Sequence, residues 1–537
     1  MAHSSNAEVT QRPPARWHVR SAVIIIAVSI LYFGVFWFLV PLAFAENDDS
    51  AMMMLSSGAY DGTPSPYLVF INYYFGVFLV ALYSFTGAIP WYPVVFLAAL
   101  SLSVGLLVGR FWSRRLHFNF VELALLTLLC LFLTVLTVQM QFTTVAGVSL
   151  SIGIWSVLSG PGPAARVAGA VLVVLAFLLR FEAAVLAVMI TTPFLLSNFW
   201  QDSRFRSRHI LLGFVLLGSL VAHFASQQAY RDVAPDYFEF NTLRGDINDN
   251  PNADLTPTEL PRGVTEIEYE LLRGFFADLG STPLNELRAL HAAVEEREAA
   301  LGPHNFLRSA LQVFNVDEIK AFLVLAVILI IAAPSRHVFL MRVFGLSVLL
   351  AAFVYVETMA ILKLRVIQVG LFAFFVAIFF EPQYRKGLLN VGAIAVVSGA
   401  IIFQLGSQAS TLKDENVFNA TNFHLQRDLV LDWHGDVVVF AGHLYPHHVP
   451  VSSRDLDALS GKVFFRGWMV GHPRNRGTSD DHRILEEDVA ILVRSDEVGR
   501  VKSMLNEGFQ VNYGVATDTE TVAENEQFSL IAIRRSE

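Results

Sequence analysis

Long apolar runs alternate with short polar connectors along the first three quarters of the chain. A helix needs about 20 mostly apolar residues to cross a bilayer. Residues 21–45 form the first such run. Further runs cover 91–111, 120–140, 143–158, 167–179, 183–199 and 210–225, and then 321–333, 338–356, 366–380 and 388–405. The pattern predicts about eleven spans. Arg12, Arg16 and Arg20 precede the first run, and Arg110, Arg114 and Arg115 close the second. Basic residues collect on the cytoplasmic side, so both clusters are expected inside. That expectation leaves 67–85, rich in tyrosine, as a helix along the outer interface. It also puts the N-terminus inside and the C-terminus outside. The later basic connectors, "RFRSRH", "PSRH" and "QYRKG", then all fall inside.

The expected architecture is a polytopic α-helical membrane protein with a small C-terminal α/β domain. Residues 1–20 form a cytoplasmic tail and 21–405 a transmembrane domain, with outer loops at 46–90 and 226–318. Residues 406–537 form an extracytoplasmic domain. There "DVVVFAGH" and "QFSLIAIRR" read as strands and "VGRVKSMLNEGF" as an amphipathic helix.

Composition agrees. Hydrophobic residues make up 54% of the 537 positions and charged residues 16%, and mean hydropathy is +0.50. The first run is too long for a cleavable signal and lacks a small-residue cleavage pattern. The single cysteine, Cys130, excludes an internal disulfide. A net charge of −9 gives no reason to expect a nucleic-acid partner.

Candidate chemistry lies at the outer ends of the runs. "FAENDDSAMMMLSSG" carries Asn47, Asp48 and Asp49 directly after the first run, then Met52, Met53 and Met54, suited to lie against lipid or the tail of a lipid-linked substrate. "LLRFEAA" places Arg180 and Glu182 between two runs too close for a loop. "ETMAILKLR" carries Glu357, Lys363 and Arg365, and "FEFNTLRGDINDNP" carries Asn241, Arg244, Asp246 and Asp249. Each group has a structural reading as well: a helix cap for the aspartates, an ion-paired turn, snorkelling cations, an Asx-rich surface turn. Their convergence on one face favours function, since ionisable residues at membrane depth usually face a cavity or one another. Arginine and lysine suit a lipid phosphate, and a nearby carboxylate can take a proton from an acceptor hydroxyl.

The first outer loop with its acidic pair, the interfacial helix, the many spans and the outer C-terminal domain resemble the GT-C class of integral-membrane glycosyltransferases. The resemblance rests on the pattern of 21–405 and on the Asp48–Asp49 pair. It implies a polyprenyl-phosphate sugar donor, a glycan or lipid-linked acceptor and a bacterial inner-membrane enzyme acting on the periplasmic face. It also implies that Asp48 or Asp49 is the base. Arg180, Lys363 or Arg365 would then hold the donor phosphate, with Asn47, Glu182, Asn241, Arg244, Asp246 and Glu357 in supporting roles. A divalent cation (Mg or Mn) on the aspartates is compatible with the sequence and not required by it. No WWD-type motif supports a protein acceptor. A transporter or flippase of a lipid-linked or anionic substrate is the alternative, although neither an inverted repeat nor matching broken spans are visible. In the outer domain, the histidines of "GHLYPHH" read as loop or acceptor-binding residues without a zinc-ligand pattern, and the arginines of "GWMVGHPRNRGTSDDHR" as a solvated loop or a site for an anionic glycan.

Overall fold

The computed structural model describes residues 15–60, 62–113, 120–201, 203–250, 253–273, 283–380, 388–441, 462–467, 489–513 and 516–536. The "GHLYPHH" and "QYRKG" segments and most of "GWMVGHPRNRGTSDDHR" lie outside them.

The molecule is mostly helical. Helix α1 (Ala15–Leu39) stops before Pro41, and Ala43–Phe44 (β1) pairs in parallel with Gln139–Met140 (β2). The first apolar run therefore ends as extended chain, short of the helix expected to reach position 45. Next come α2 (Asn47–Ser57), α3 (Tyr73–Phe85), α4 (Trp91–Ser113) and α5 (Phe120–Val138). Then follow α6 (Phe142–Ser159), α7 (Pro163–Leu179), α8 (Phe181–Gln201) and α9 (Ser203–Val233).

Their starts are set locally. Asn72 accepts from the Tyr74 amide, Gln141 from those of Thr143 and Thr144, and Pro163 opens α7 where no amide donor is needed. The helix expected from position 67 begins at Tyr73, where Asn72 caps it. Gly58 ends α2 with φ +86, a left-handed cap that glycine adopts without a Cβ clash.

The polar region after 226 is helical, not an extended loop. It holds α10 (Pro235–Asn248), α11 (Glu266–Arg273) and α12 (Leu284–Asn315). Phe240, Ile247, Tyr269, Leu272, Leu287 and Leu290 give this region its own core. "FEFNTLRGDIN" is thus a helix with an apolar side and a polar side, in place of the Asx-rich turn considered above. The chain returns through α13 (Asp317–Ile331), α14 (Arg336–Met359) and α15 (Leu364–Phe380) to α16 (Leu388–Asp432).

Among the described residues, six helices are long and apolar enough to cross a membrane: Val19–Leu39, Trp91–Ser113, Phe120–Val138, Phe142–Ser159, Ser207–Val233 and Arg336–Thr358. Tyr73–Phe85, Pro163–Leu179, Phe181–Ser197, Ile319–Ile331 and Leu364–Phe380 are shorter apolar helices. Helix α6 is central, buried almost throughout against α4, α7, α8 and α15. Small residues let the backbones approach: a Cβ on Gly153 would lie 2.7 Å from the Gly169 carbonyl oxygen, and one on Gly169 would lie 2.8 Å from that of Gly153. Two apolar stretches are core: the methionines after the first run, read as suited to lie against lipid, and the phenylalanine-rich run of α15, for which the sequence leaves lipid contact and packing both open. Met52, Met53 and Met54 are at most 3% exposed, and the Phe372–Phe380 run of α15 is buried. Flexible thioethers fill the irregular gap between α2 and its neighbours α3 and α4.

Helix α16 runs on for 45 residues and carries the expected boundary at 406 within it. It leads into a five-stranded mixed sheet ordered β4-β3-β5-β7-β6: β3 (Asp436–Ala441), β4 (Val463–Gly467), β5 (Val489–Arg494), β6 (Thr517–Glu524) and β7 (Phe528–Arg535). Strand alternation divides β5. Val489, Ile491 and Val493 pack on Val501, Leu505 and Phe509 of α17 (Val498–Tyr513). Ala490 and Leu492 join the cluster that contains Phe423, Leu429 and Val430 of α16. The strands and helix read from "DVVVFA", "QFSLIAIRR" and "VGRVKSMLNEGF" are all present.

Candidate functional site

A cavity of about 890 Å³ opens where α1, α7, α9 and α14 end and α2, α6, α8 and α15 begin. Helices α10 and α12 form its outer wall. Asp48, Arg180, Glu182, Asn241, Arg244, Asp246, Lys363 and Arg365, eight of the residues singled out from sequence, line this one space.

Asp48 and Asp49 are neighbours on α2, and a helix turns about 100° per residue, so they face different surroundings. Asp48 lines the cavity and is half-buried. Among the described residues it makes no hydrogen bond and no ion pair. Burial pushes its carboxyl up from the usual range. Arg365, Lys363 and Arg180 pull the other way, while Glu46 adds to the rise. Asp49 is fully buried behind it. Its Oδ1 accepts from the Tyr92 hydroxyl at 2.8 Å and from the Phe142 amide, in the first turn of α6, at 3.2 Å. Its Oδ2 is buried with no hydrogen-bond partner. Burial holds the Asp49 carboxyl well above its usual value, against the two hydrogen bonds.

Three of the cavity cations lean on carboxylates. Arg365 Nη1 is 2.6 Å from Glu46 Oε1, Lys363 Nζ is 2.8 Å from Asp249 Oδ1, and Arg180 Nε is 2.9 Å from Glu182 Oε2. Glu46 stands at the N-cap position of α2 but makes no side-chain cap there. Arg180 also donates to the Phe70 carbonyl at 3.3 Å, and its guanidinium lies over the Phe70 and Phe142 rings at 5.7 and 5.5 Å. Arg244 is 5% exposed and donates to Asn241 Oδ1 at 3.0 Å, one helical turn away.

Besides Asp49, one expected site residue sits away from the cavity and another has a side chain outside the described atoms. Glu357 does not line the cavity; its Oε2 accepts the Leu362 amide at 2.8 Å and so shapes the loop that carries Lys363. The Ile361 amide donates to the Asp249 carbonyl at 2.7 Å and fastens that loop to the end of α10. Asn47 occupies the first position of α2, and its side chain lies outside the described atoms.

The outer wall adds residues that sequence reading missed. His291 Nε2 is 3.5 Å from Asp246 Oδ2, its Nδ1 is 3.8 Å from Glu295, and Asn250 donates to Glu298 at 3.3 Å. Burial raises the Asp246 carboxyl and His291 opposes the rise. His291 and Glu295 are one turn apart on α12, but only the fold of 235–315 brings them opposite Asp246. His223, Ser226 and Gln227 of α9 also line the cavity. Among the described residues, no three or more histidine, cysteine or acidic side chains are grouped to hold a metal ion.

Chemically, the cavity offers an unpaired carboxylate, cations able to exchange their carboxylate partners for a phosphate, and a wall of amides and carboxylates suited to hydroxyl groups. No protein-family model matches this sequence, and neither a characterised protein nor a solved structure matches it.

Proposed function

We propose that the chain is a GT-C-like glycosyltransferase that moves a sugar from a polyprenyl-phosphate donor to a hydroxyl of a glycan or lipid-linked acceptor. The observation that carries this reading is the placement of Asp48. It faces, without an ion pair of its own, the cavity that Arg180, Lys363 and Arg365 also line.

Asp48 takes the proton of the acceptor hydroxyl. The acceptor oxygen attacks the anomeric carbon as the bond from that carbon to the phosphate oxygen breaks. The electron pair leaves on the polyprenyl phosphate, whose growing charge the three cations stabilise. One displacement without a covalent intermediate inverts the anomeric configuration. Asp49 is structural in this scheme: it ties α2 to α4 and to the start of α6.

Orientation follows the same reading. Arg110 donates to the Ser159 carbonyl and Arg208 to the Leu158 carbonyl, at the end of α6 opposite the cavity. Basic residues there support a cytoplasmic side at that end and so a cavity on the opposite, outer face; the eleven spans and the bacterial inner membrane rest on the sequence pattern and the GT-C resemblance alone. Transfer is favoured over transport because every Asp, Glu, Lys and Arg lining the cavity comes from one end of the helices or from the region 235–315, and His223 alone of the lining's charge-bearing side chains lies deeper in a helix.

The test is binding. The protein in nanodiscs should bind undecaprenyl phosphate, and Arg365→Gln and Lys363→Gln should each weaken it; binding indifferent to both substitutions removes the basis of the proposal.

A further inference from the structure

Helix α2, which carries Asp48 and Asp49, starts just after a very small support. Strand β1 has two residues and pairs with the two of β2, and the Ala45 amide adds one bond to the Met140 carbonyl at 2.9 Å. The same pair places the start of α6, where Gln141 caps the helix and the Phe142 amide meets Asp49. A strand pair this short does not hold itself together. Asn416 supplies what it lacks. Its side chain is buried, 2% exposed, and its Nδ2 donates to the Pro41 and Val138 carbonyls, each at 2.9 Å. Pro41 follows α1 and Val138 ends α5, so these carbonyls stand where a helix leaves its acceptors without amides. Gln139, the first residue of β2, donates its Nε2 to Asn416 Oδ1 at 3.1 Å. The two hydrogens and the oxygen of the Asn416 amide are thus all engaged. Asn416 lies on α16, outside the cavity lining and beyond the domain boundary expected at 406.

We infer that Asn416 is a positioning residue for the proposed transfer: it clamps the chain ahead of β1 and β2 from α16 and so fixes where α2 presents Asp48 to the cavity. It touches no reacting group. The inference rests on the reading proposed above and extends it to the outer domain. Helix α16 runs from this clamp toward the sheet, and its Phe423, Leu429 and Val430 share a core with Ala490 and Leu492 of β5. Without the Asn416 side chain the two carbonyls are buried with no donor, and the strand pair is free to shift. A displacement of about 1 Å between a base and its reacting hydroxyl costs on the order of 10²-fold in rate.

Kinetics and amide hydrogen exchange of the full chain in nanodiscs test the clamp. Transfer is read as release of undecaprenyl phosphate from its hexose and pentose derivatives, with cell-envelope glycans and lipids as acceptors. Asn416→Leu removes the clamp at similar volume. Gln426→Leu is the control, on the same helix, where Gln426 is 6% exposed and its Oε1 makes no hydrogen bond among the described residues. In Asn416→Leu, kcat should fall about 10- to 100-fold with KM for the donor within about twofold of wild type, and the amides of 43–48 should exchange faster. Gln426→Leu should show neither effect. Gln139→Met removes only the bond that orients the amide; it should show both effects at smaller size, and it carries the comparison should Asn416→Leu not fold. Wild-type kcat, an effect on KM alone, unchanged exchange at 43–48, or an equal loss in Gln426→Leu overturns the clamp and leaves the transferase reading standing. Wild type that releases no undecaprenyl phosphate from any of these donors overturns the reading itself and the role of Asn416 with it.

Discussion

Tyr92 donates its hydroxyl to Asp49 Oδ1 at 2.8 Å, and with that bond two adjacent carboxylates part ways. Asp49 becomes a strut between α2, α4 and α6, while Asp48 is left facing the cavity. Tyr92→Phe removes one of the two donors to a buried carboxylate. It should cost about 1–3 kcal/mol of stability, read as a lower melting temperature in detergent, with activity retained in the surviving folded protein.

Asp49→Asn should behave in the opposite way. An asparagine keeps an acceptor oxygen for Tyr92 and Phe142 and carries no charge. The Asp49 carboxyl is raised in the folded state, so the folded chain binds its proton more tightly than the unfolded chain. Its contribution to stability is present below the unfolded value, about 3.9, and is lost as pH rises through the folded value. Melting of wild type should therefore weaken from acid toward neutral pH more than that of Asp49→Asn. Parallel curves for the two proteins would contradict the burial of this charge.

The acid limb of the activity should report on Asp48. Its raised carboxyl must be ionised to accept a proton, so transfer should rise with pH through a value above the usual 3.9 or so. Glu46→Gln removes a like charge and frees Arg365 from its ion pair, both of which favour ionised Asp48. The limb should move to lower pH. Arg365→Gln should move it to higher pH and weaken polyprenyl-phosphate binding by about 1.5–3 kcal/mol, roughly 10- to 150-fold. Limbs that stay in place in both variants would detach Asp48 from this cluster.

The contact between α6 and α7 offers a test independent of function. Gly153→Val or Gly169→Val forces side-chain carbon against backbone carbonyls and should cost about 1–3 kcal/mol or more. Gly213→Ala on α9 meets nothing within 4 Å and should be nearly silent. Melting temperatures of the purified variants decide the matter.

How much of this was legible beforehand depended on the range of the interaction that fixes each feature. Apolar runs marked α1, α4–α9 and α13–α15, and alternation marked β3 and β7, because those patterns are local. Asp48, Arg180, Lys363 and Arg365 were legible because charge at a helix end beside lipid is costly and stands out. What decides between Asp48 and Asp49 was not legible: Tyr92 and Phe142 are 43 and 93 residues away from Asp49. The burial of Met52–Met54 and of the α15 phenylalanines was hidden for a related reason, since a helix that is apolar all round reads alike in lipid and in a protein core. The polar wall of α10 and α12 was read as loop because its carboxylates and amides resemble a solvated surface until Asp246 meets His291.

The central claim is that Asp48, and not its neighbour, takes the proton. The most direct measurement is sugar transfer by proteoliposomes supplied with polyprenyl-phosphate sugars, comparing Asp48→Asn with Asp49→Asn at equal amounts of folded protein. The account predicts a loss of about 10²- to 10⁴-fold for Asp48→Asn and near-normal transfer for Asp49→Asn. Full transfer by Asp48→Asn, or loss confined to Asp49→Asn, would contradict it.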